Sequence, residues 1–479
     1  MNDSAHPSDP NSLLAATRLQ ADPRVQQARQ LLLEALAEHQ AGMDQVSGPK
    51  PELTENYQQQ LDLFSKLRGG AMYFPYISSG LGNGPYVELN DGSVKLDMIT
   101  GIGVHGFGHS HPALVSAGID AAMSDTVMQG NLQTSGPAVE MCDLLVEIAT
   151  ETGSSLEHCM LTTSGAMANE NALKIAFQKN FPADRILAFE NCFCGRTITL
   201  SNITDRPGYR VGLPETAKVD YLPFFDWQDP EGSLQRTMET LEEHVARHPG
   251  KHAILWMELI AGEGGYYPGT ETYFKTLCQR AKELNIAIIC DEVQTFGRTN
   301  RAFAFQHFQL DALVDIVTVG KITQVCATLF SEDYKPKPGL VSQTFTGSSW
   351  AILAGLTIVR GLIAGGHFNQ DAAQSKNVQL HDYFVAGIKK IEQQYPGSLK
   401  GPHGFGGMVA VTPFDGSLDV AKELAFLLYD AGLMSFIAGG DPYRVRFLMP
   451  LGVTQHSHID QACEILQSVV AKMAANRPA

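Results

Sequence analysis

Between residues 105 and 360, short apolar runs alternate with longer amphipathic stretches. This alternation constrains the fold more than any other feature of the sequence. Runs of five or six apolar residues fit buried strands, and stretches with a 3.6-residue period fit helices. Strands that alternate with helices build a largely parallel sheet with helices on both faces, an α/β domain. Strands are expected at 158–163, 185–190, 253–259, 286–291 and 314–319, with helices between them, including 166–178 and 270–284. The chain has 479 residues, more than one core usually serves. Residues 1–50 read as an N-terminal helical extension whose start, 1–22, is polar and loose. A helix over 24–40 would carry Val25, Ala28, Leu32 and Ala35 on one face, ahead of a break at Ser47-Gly48-Pro49. Tyr86–Leu89 and Val94–Met98 read as strands around the turn Asn90-Asp91-Gly92. Residues 51–104 and 361–479 are assigned to a smaller α+β domain, and 105–360 to the larger α/β domain.

Charge and composition remove several classes of partner. The net charge is −16 with no basic block, so the positive footprint of a nucleic-acid binder is missing. No run of eighteen apolar residues suggests a membrane-spanning helix, and Met1–Pro10 lacks the apolar stretch of a signal peptide. Eight cysteines are scattered along the chain, Cys159 and Cys290 within apolar runs. Buried free thiols and a cytoplasmic location are expected.

In open α/β sheets, ligands bind beyond the carboxyl ends of the strands. Four such ends here carry reactive or polar residues. The run Ala253–Met257 ends in Glu258, and the run Ile286–Cys290 ends in Asp291. Val314–Val319 ends in Gly320-Lys321, and Cys159–Thr162 runs into Thr163-Ser164-Gly165 at the start of a helix. Two acids, a lysine and a turn ready for phosphate suit pyridoxal 5'-phosphate (PLP). That cofactor needs a lysine amine for its Schiff base and a carboxylate to keep its pyridine nitrogen protonated. Lys321 and Asp291 fit these needs. Ser164, Gly165 and Ala166 open a helix whose free N–H groups and dipole favour a phosphate, and Phe193 could stack on the ring.

These stretches lead to a family resemblance. Gly101–Pro112, Ser164–Glu170, Phe193–Thr197, Gly262–Gly265, Asp291–Thr295 and Thr344–Gly347 occur together, in order, with Lys321 thirty residues after Asp291. The chain resembles the class III aminotransferases of PLP fold type I from about residue 80 to 470. Within them it is similar to the ornithine, acetylornithine, lysine and 4-aminobutyrate enzymes. The resemblance implies a seven-stranded, mostly parallel sheet plus a smaller α+β domain. It implies that Lys321 forms the Schiff base and shuttles the proton, while Asp291 pairs with the pyridine nitrogen. Gln294 and Val293 would meet the cofactor's O3′ and ring face, and Gly165 and Ala166 would cup its phosphate. Glu258 and Cys194 would belong to the cofactor's surroundings. Thr344 matches a threonine that reaches the phosphate held by a neighbouring subunit, which implies a homodimer with shared sites.

For substrates, the resemblance implies that Arg196 binds the α-carboxylate of an ornithine-type donor and Arg446 that of 2-oxoglutarate. Glu263 would cover Arg446 while the donor is bound. The function implied is transfer of a distal amino group to 2-oxoglutarate by a ping-pong mechanism. Other PLP chemistry on this scaffold, such as an aminomutase, decarboxylase or racemase, stands as an alternative, as does a PLP-binding protein without turnover.

The sequence also departs from the family pattern. Cys194 stands where a His, Trp or Tyr is usual, Leu259-Ile260-Ala261 where Pro-Ile-Gln is usual, and Phe296 follows Thr295 directly where a Gly is common. Lys321–Cys326 is more similar to lysine ε-aminotransferases, and Asn191–Asp205 to ornithine enzymes.

Overall fold

The computed structural model describes residues 14–130 and 132–477. Residues 1–13, where a loose start and no signal peptide are expected, lie outside the described residues. The central element is a seven-stranded sheet: β1 (His158–Thr162), β2 (Arg185–Phe189), β3 (Lys218–Leu222), β4 (His252–Met257), β5 (Ala287–Glu292), β6 (Ile316–Val319) and β7 (Cys326–Phe330). Its spatial order is β1-β7-β6-β5-β4-β2-β3. Six strands run one way, and β7 runs against both of its neighbours. Every residue of β4 and β5 is buried, as expected where helices cover both faces and strands read as continuous apolar runs.

The helix Gly165–Lys179 buries Ala168, Asn169, Ala172 and Ile175, and the helix Glu271–Glu283 buries Tyr273, Phe274, Leu277 and Ala281. Their spacings of three and four turn one stripe toward the sheet. Two four-stranded sheets lie outside the central one. Ser78–Asn83, Tyr86–Leu89 and Val94–Asp97 join Leu433–Met434; Leu399–Phe405 and Met408–Pro413 join Tyr443–Leu448 and Phe436–Gly439. Arg446 sits in the second of these, buried, opposite Ala410 and Phe436.

A short exposed helix, Ala15–Gln20, occupies part of the stretch expected to be loose. The expected helix follows over Pro23–Gln40, but its inward face differs from the expected one. Val25, Arg29, Leu33, Leu36 and Gln40 turn inward, whereas Ala28, Leu32 and Ala35 are exposed. Polar anchors set this rotation. Arg29 makes paired hydrogen bonds to Asp120, and Gln40 Nε2 donates to the carbonyls of Gly82 and Ser110. A second exposed helix, Pro51–Arg68, follows. No helix of the described residues is long and apolar enough to cross a membrane.

Candidate active site

Sheet register brings the strand-end residues together. Asp291 on β5 lies opposite Thr318 on β6, Cys290 lies opposite Met257 on β4, and Lys321 follows β6 after a single glycine. A cavity of about 420 Å³ opens at these ends. Gly165, Ala166, Phe193, Cys194, Arg196, Glu258, Glu263, Asp291, Val293, Gln294 and Lys321 all line it. Eleven of the fourteen site residues expected from sequence therefore share one space.

The other three lie elsewhere. Ser164 caps the helix Gly165–Lys179 by accepting from the Met167 N–H at 3.2 Å. Arg446 is fully buried behind Glu263. Thr344 is on the surface, away from the Lys321 cavity, next to the exposed Phe345.

Asp291 is held from two sides. Asn169 Nδ2 donates to its Oδ2 at 2.7 Å, and the Val293 N–H donates to its Oδ1 at 3.0 Å. Thr318 donates to Asn169 Oδ1 at 2.7 Å and so fixes which end of the amide faces Asp291. Burial lifts Asp291 to about 6 in spite of these donors. Burial also lowers Lys321 to about 8, which leaves its amine mostly charged at neutral pH but far easier to deprotonate than an ordinary lysine.

Glu258 accepts from the Phe193 N–H at 2.8 Å and the Gly262 N–H at 3.0 Å, and burial raises it to about 8. One carboxyl thereby ties the Phe193 turn to the turn that carries Glu263. Arg446 donates to Glu263 Oε1 at 2.6 Å and to the Gly262 carbonyl at 3.3 Å. Burial alone would raise Glu263, yet the Arg446 charge holds its carboxyl below the usual range. The Arg196 guanidinium lies 3.3 Å from the centre of the Tyr209 ring and 5.8 Å from that of Phe193. Cys194 is buried, and burial pushes its thiol upward. The turn after Thr295 closes without the usual glycine because Gly297 takes φ 76° and Arg298 bonds the Gln294 and Gly103 carbonyls.

Sequence reasoning assigned no role to Asn169, Thr318, Arg206 or Gln324. Arg206 donates to the carbonyls of Glu263 and Gly439 and to Asn191 Oδ1, which anchors the Glu263 turn. For Asn169 a signal existed: an asparagine on the otherwise apolar inner stripe of a helix needs a buried partner.

The residues present fit PLP. Gln294 Oε1 is buried without a partner among the described residues, as an acceptor awaiting a ligand hydroxyl would be. Gly165 leaves a cradle in which a Cβ would lie 2.7 Å from Val293 Cγ1. Burial lifts the Asp291 carboxyl to about 6 although the Lys321 charge lowers it, which leaves room for the stronger partner that a protonated pyridine nitrogen would supply.

This sheet, with a part-buried lysine and a buried acid at its carboxyl edge, defines an enzyme of the fold type I aminotransferase architecture. More narrowly, the chain belongs to the class III aminotransferases: it matches that family over residues 73–470, and the family uses PLP. It acts between an amino donor and a keto acid. It is 29% identical to an acetylornithine aminotransferase of Methanocaldococcus jannaschii over 406 residues, 82% of this chain and 93% of that one. It is equally identical to a succinylornithine transaminase of Salmonella enteritidis over 408 residues, 81% of this chain and 92% of the other. The lysine aminotransferase of M. tuberculosis superposes with a TM-score of 0.76 at 22% identity, covering 86% of this chain and 99% of that one. The ornithine aminotransferase of Toxoplasma gondii superposes at 0.73 with 22% identity, covering 88% and 99%.

Proposed function

We propose that this aminotransferase takes the distal amino group of an ornithine-, acetylornithine- or lysine-like amino acid and delivers it to 2-oxoglutarate in two half-reactions of a ping-pong cycle. The observation that carries this reading is the Glu263–Arg446 pair, in which Glu263 lines the cavity and a fully buried Arg446 lies behind it. An ω-amine donor has its carboxylate far from the reacting nitrogen, whereas glutamate has one beside it. A site that serves both must hide an arginine in one half-reaction and expose it in the other. Glu263 pairs with Arg446 while the donor is bound, and yields it to the α-carboxylate of 2-oxoglutarate, which restores a bidentate partner. Leaving that guanidinium buried and unpaired would be strongly destabilising. Arg196, at the mouth, is suited to the donor's remote carboxylate. The neighbouring relatives act on acetylornithine and succinylornithine by name, which supports a donor of this length.

PLP is the cofactor in this reading and supplies, when bound, the electron sink that stabilises charge at the reacting carbon. Asp291 would hold the pyridine nitrogen, with Asn169 and Thr318 orienting its carboxylate. Gly165 and Ala166 would hold the phosphate, Val293 and Phe193 the two ring faces, and Gln294 the ring hydroxyl. Lys321, lowered to about 8 by burial, can both give and take a proton at the substrate carbon. Thr344 would reach the phosphate in the other subunit of a homodimer.

The test is the absorbance of the purified, PLP-loaded protein against ornithine, acetylornithine, lysine, 4-aminobutyrate, β-alanine and glutamate. The expected result is loss of the visible cofactor band with glutamate and with one ω-amine donor, and its return with 2-oxoglutarate. A band that glutamate leaves unchanged would overturn the role given to Glu263 and Arg446.

A further inference from the structure

The turn after Lys321 is strained at a second residue besides the lysine. Lys321 has φ 54°, and Gln324 has φ 61° and ψ −50°. The Val325 N–H donates to the Thr323 carbonyl at 2.7 Å, which closes a γ-turn centred on Gln324. This is the rare hand of γ-turn, with positive φ, and it is strained for any residue bearing a Cβ. Strain of this kind persists where the surroundings over-determine it, and it concentrates at ligand sites.

The side chain is fixed as tightly as the backbone. Gln324 Nε2 donates to the Val104 carbonyl at 2.8 Å and to the Lys321 carbonyl at 3.2 Å. Two carbonyl oxygens can be satisfied only by the NH₂ end, so the amide cannot be turned round. Oε1 therefore faces away from both and has no hydrogen-bond partner among the described residues. Gln324 lines the same cavity as Val104, Lys321 and Glu263.

Oε1 can only accept. 2-Oxoglutarate at neutral pH has no N–H or O–H to give it, and the reacting amine of any donor would be committed to the cofactor in place of Lys321. Among the substrate groups, a second N–H on the donor is what remains. We propose that Gln324 is a specificity residue for the amino donor, its Oε1 accepting a hydrogen bond from the second nitrogen of a diamino acid. The proposal rests on the donor half-reaction described above.

Gln324→Met tests it, because methionine keeps the length and bulk and removes both polar ends. In a ping-pong enzyme kcat/KM for the donor and kcat/KM for 2-oxoglutarate report separate half-reactions. The expected loss is about tenfold or more in kcat/KM for ornithine. 4-Aminobutyrate, which lacks a second nitrogen, and 2-oxoglutarate should fall only by the smaller common factor that the lost Nε2 anchor at the Lys321 carbonyl causes, several-fold less than ornithine. A merely structural residue would lower all three equally; that outcome, or no change in any, overturns the proposal. Gln324→Gly, which relieves the turn while removing the same two hydrogen bonds, should show the same excess loss for ornithine and serves if the methionine variant does not fold. A wild-type enzyme that uses 4-aminobutyrate but not ornithine overturns the role of Gln324 alone. One that uses no ω-amine donor overturns the functional reading as well.

Discussion

Three buried carboxyls and the part-buried Lys321 at the strand ends give this protein a distinctive dependence on pH. Burial raises Glu258 from 4.5 to about 8, Glu292 from 4.5 to about 7 and Asp291 from 3.8 to about 6. In each case the folded state keeps a proton that the unfolded chain has released, between the ordinary value and the raised one. Stability therefore falls as pH climbs through that window. Lys321, lowered from 10.5 to about 8, has the opposite effect, and its contribution improves only above about pH 8. Burial lowers His307, His367 and His403 to about 4, so the unfolded chain binds more protons than the folded one below about 6.5 and these groups offset the carboxyls there. The melting temperature of the cofactor-free protein should therefore decline from about pH 6.5 to 8, and Glu258→Gln should remove the largest share of the decline. A wild-type profile that stays flat, or a variant with the same slope, would contradict this account. Asn169→Ala makes a separate prediction. It deletes the donor that favours an ionised Asp291, so PLP affinity in an absorbance titration should weaken by about 2 kcal/mol, or roughly thirtyfold. An unchanged affinity would mean that the Val293 N–H alone orients Asp291.

At the scale of elements, the helix Gly165–Lys179 carries both fold and site. Its inner stripe packs on the sheet, its first turn borders the cavity, and Ser164 caps it. Ser164→Ala should cost about 1 kcal/mol of stability, and PLP should recover less of the melting temperature than in wild type. Equal recovery in both proteins would separate the cap from the cofactor. The central strands were legible in sequence because β4 and β5, buried on both faces, are continuous apolar runs. Strand β3 was not, since Lys218-Val219-Asp220-Tyr221-Leu222 is a half-exposed edge with two charges. Strand β7 was missed because Cys326–Phe330 follows the Lys321 turn with only the short 3-10 helix Lys321–Thr323 between, running back against β6. The face of the helix Pro23–Gln40 was misread because Arg29 and Gln40, polar residues with buried partners, point inward in place of Leu32. The site was legible where strand ends carry charge, as at Glu258, Asp291 and Lys321. It was illegible where a role depends on a partner far off in sequence, as for Arg206 under Glu263 or Gln324 against Val104.

At the scale of the whole molecule, one surface is apolar without an intramolecular reason. Leu132 is 84% exposed, Val139 61%, Phe345 60% and Trp350 59%. Phe345 and Trp350 flank the strand Gly347–Ser348 in sequence, Leu132 follows its partner Val127–Met128, and Val139 lines a cavity with Thr346, two residues from Thr344. An apolar patch of this kind beside a residue expected to serve another copy's site fits an isologous dimer interface. Phe345→Asp should give a monomer in sedimentation, with little activity although Lys321 is untouched. A sharper test uses two crippled homodimers. Lys321→Ala lacks the reactive amine, and Thr344→Ala lacks the threonine offered across the interface, so each should be poorly active at limiting PLP. After subunit exchange, a mixed dimer has one site with Lys321 from one chain and Thr344 from the other, and a second site with neither. If the sites are shared, activity reappears on mixing, carried by that single intact site. If Thr344 serves its own chain, every site in the mixture lacks one residue or the other and no activity returns.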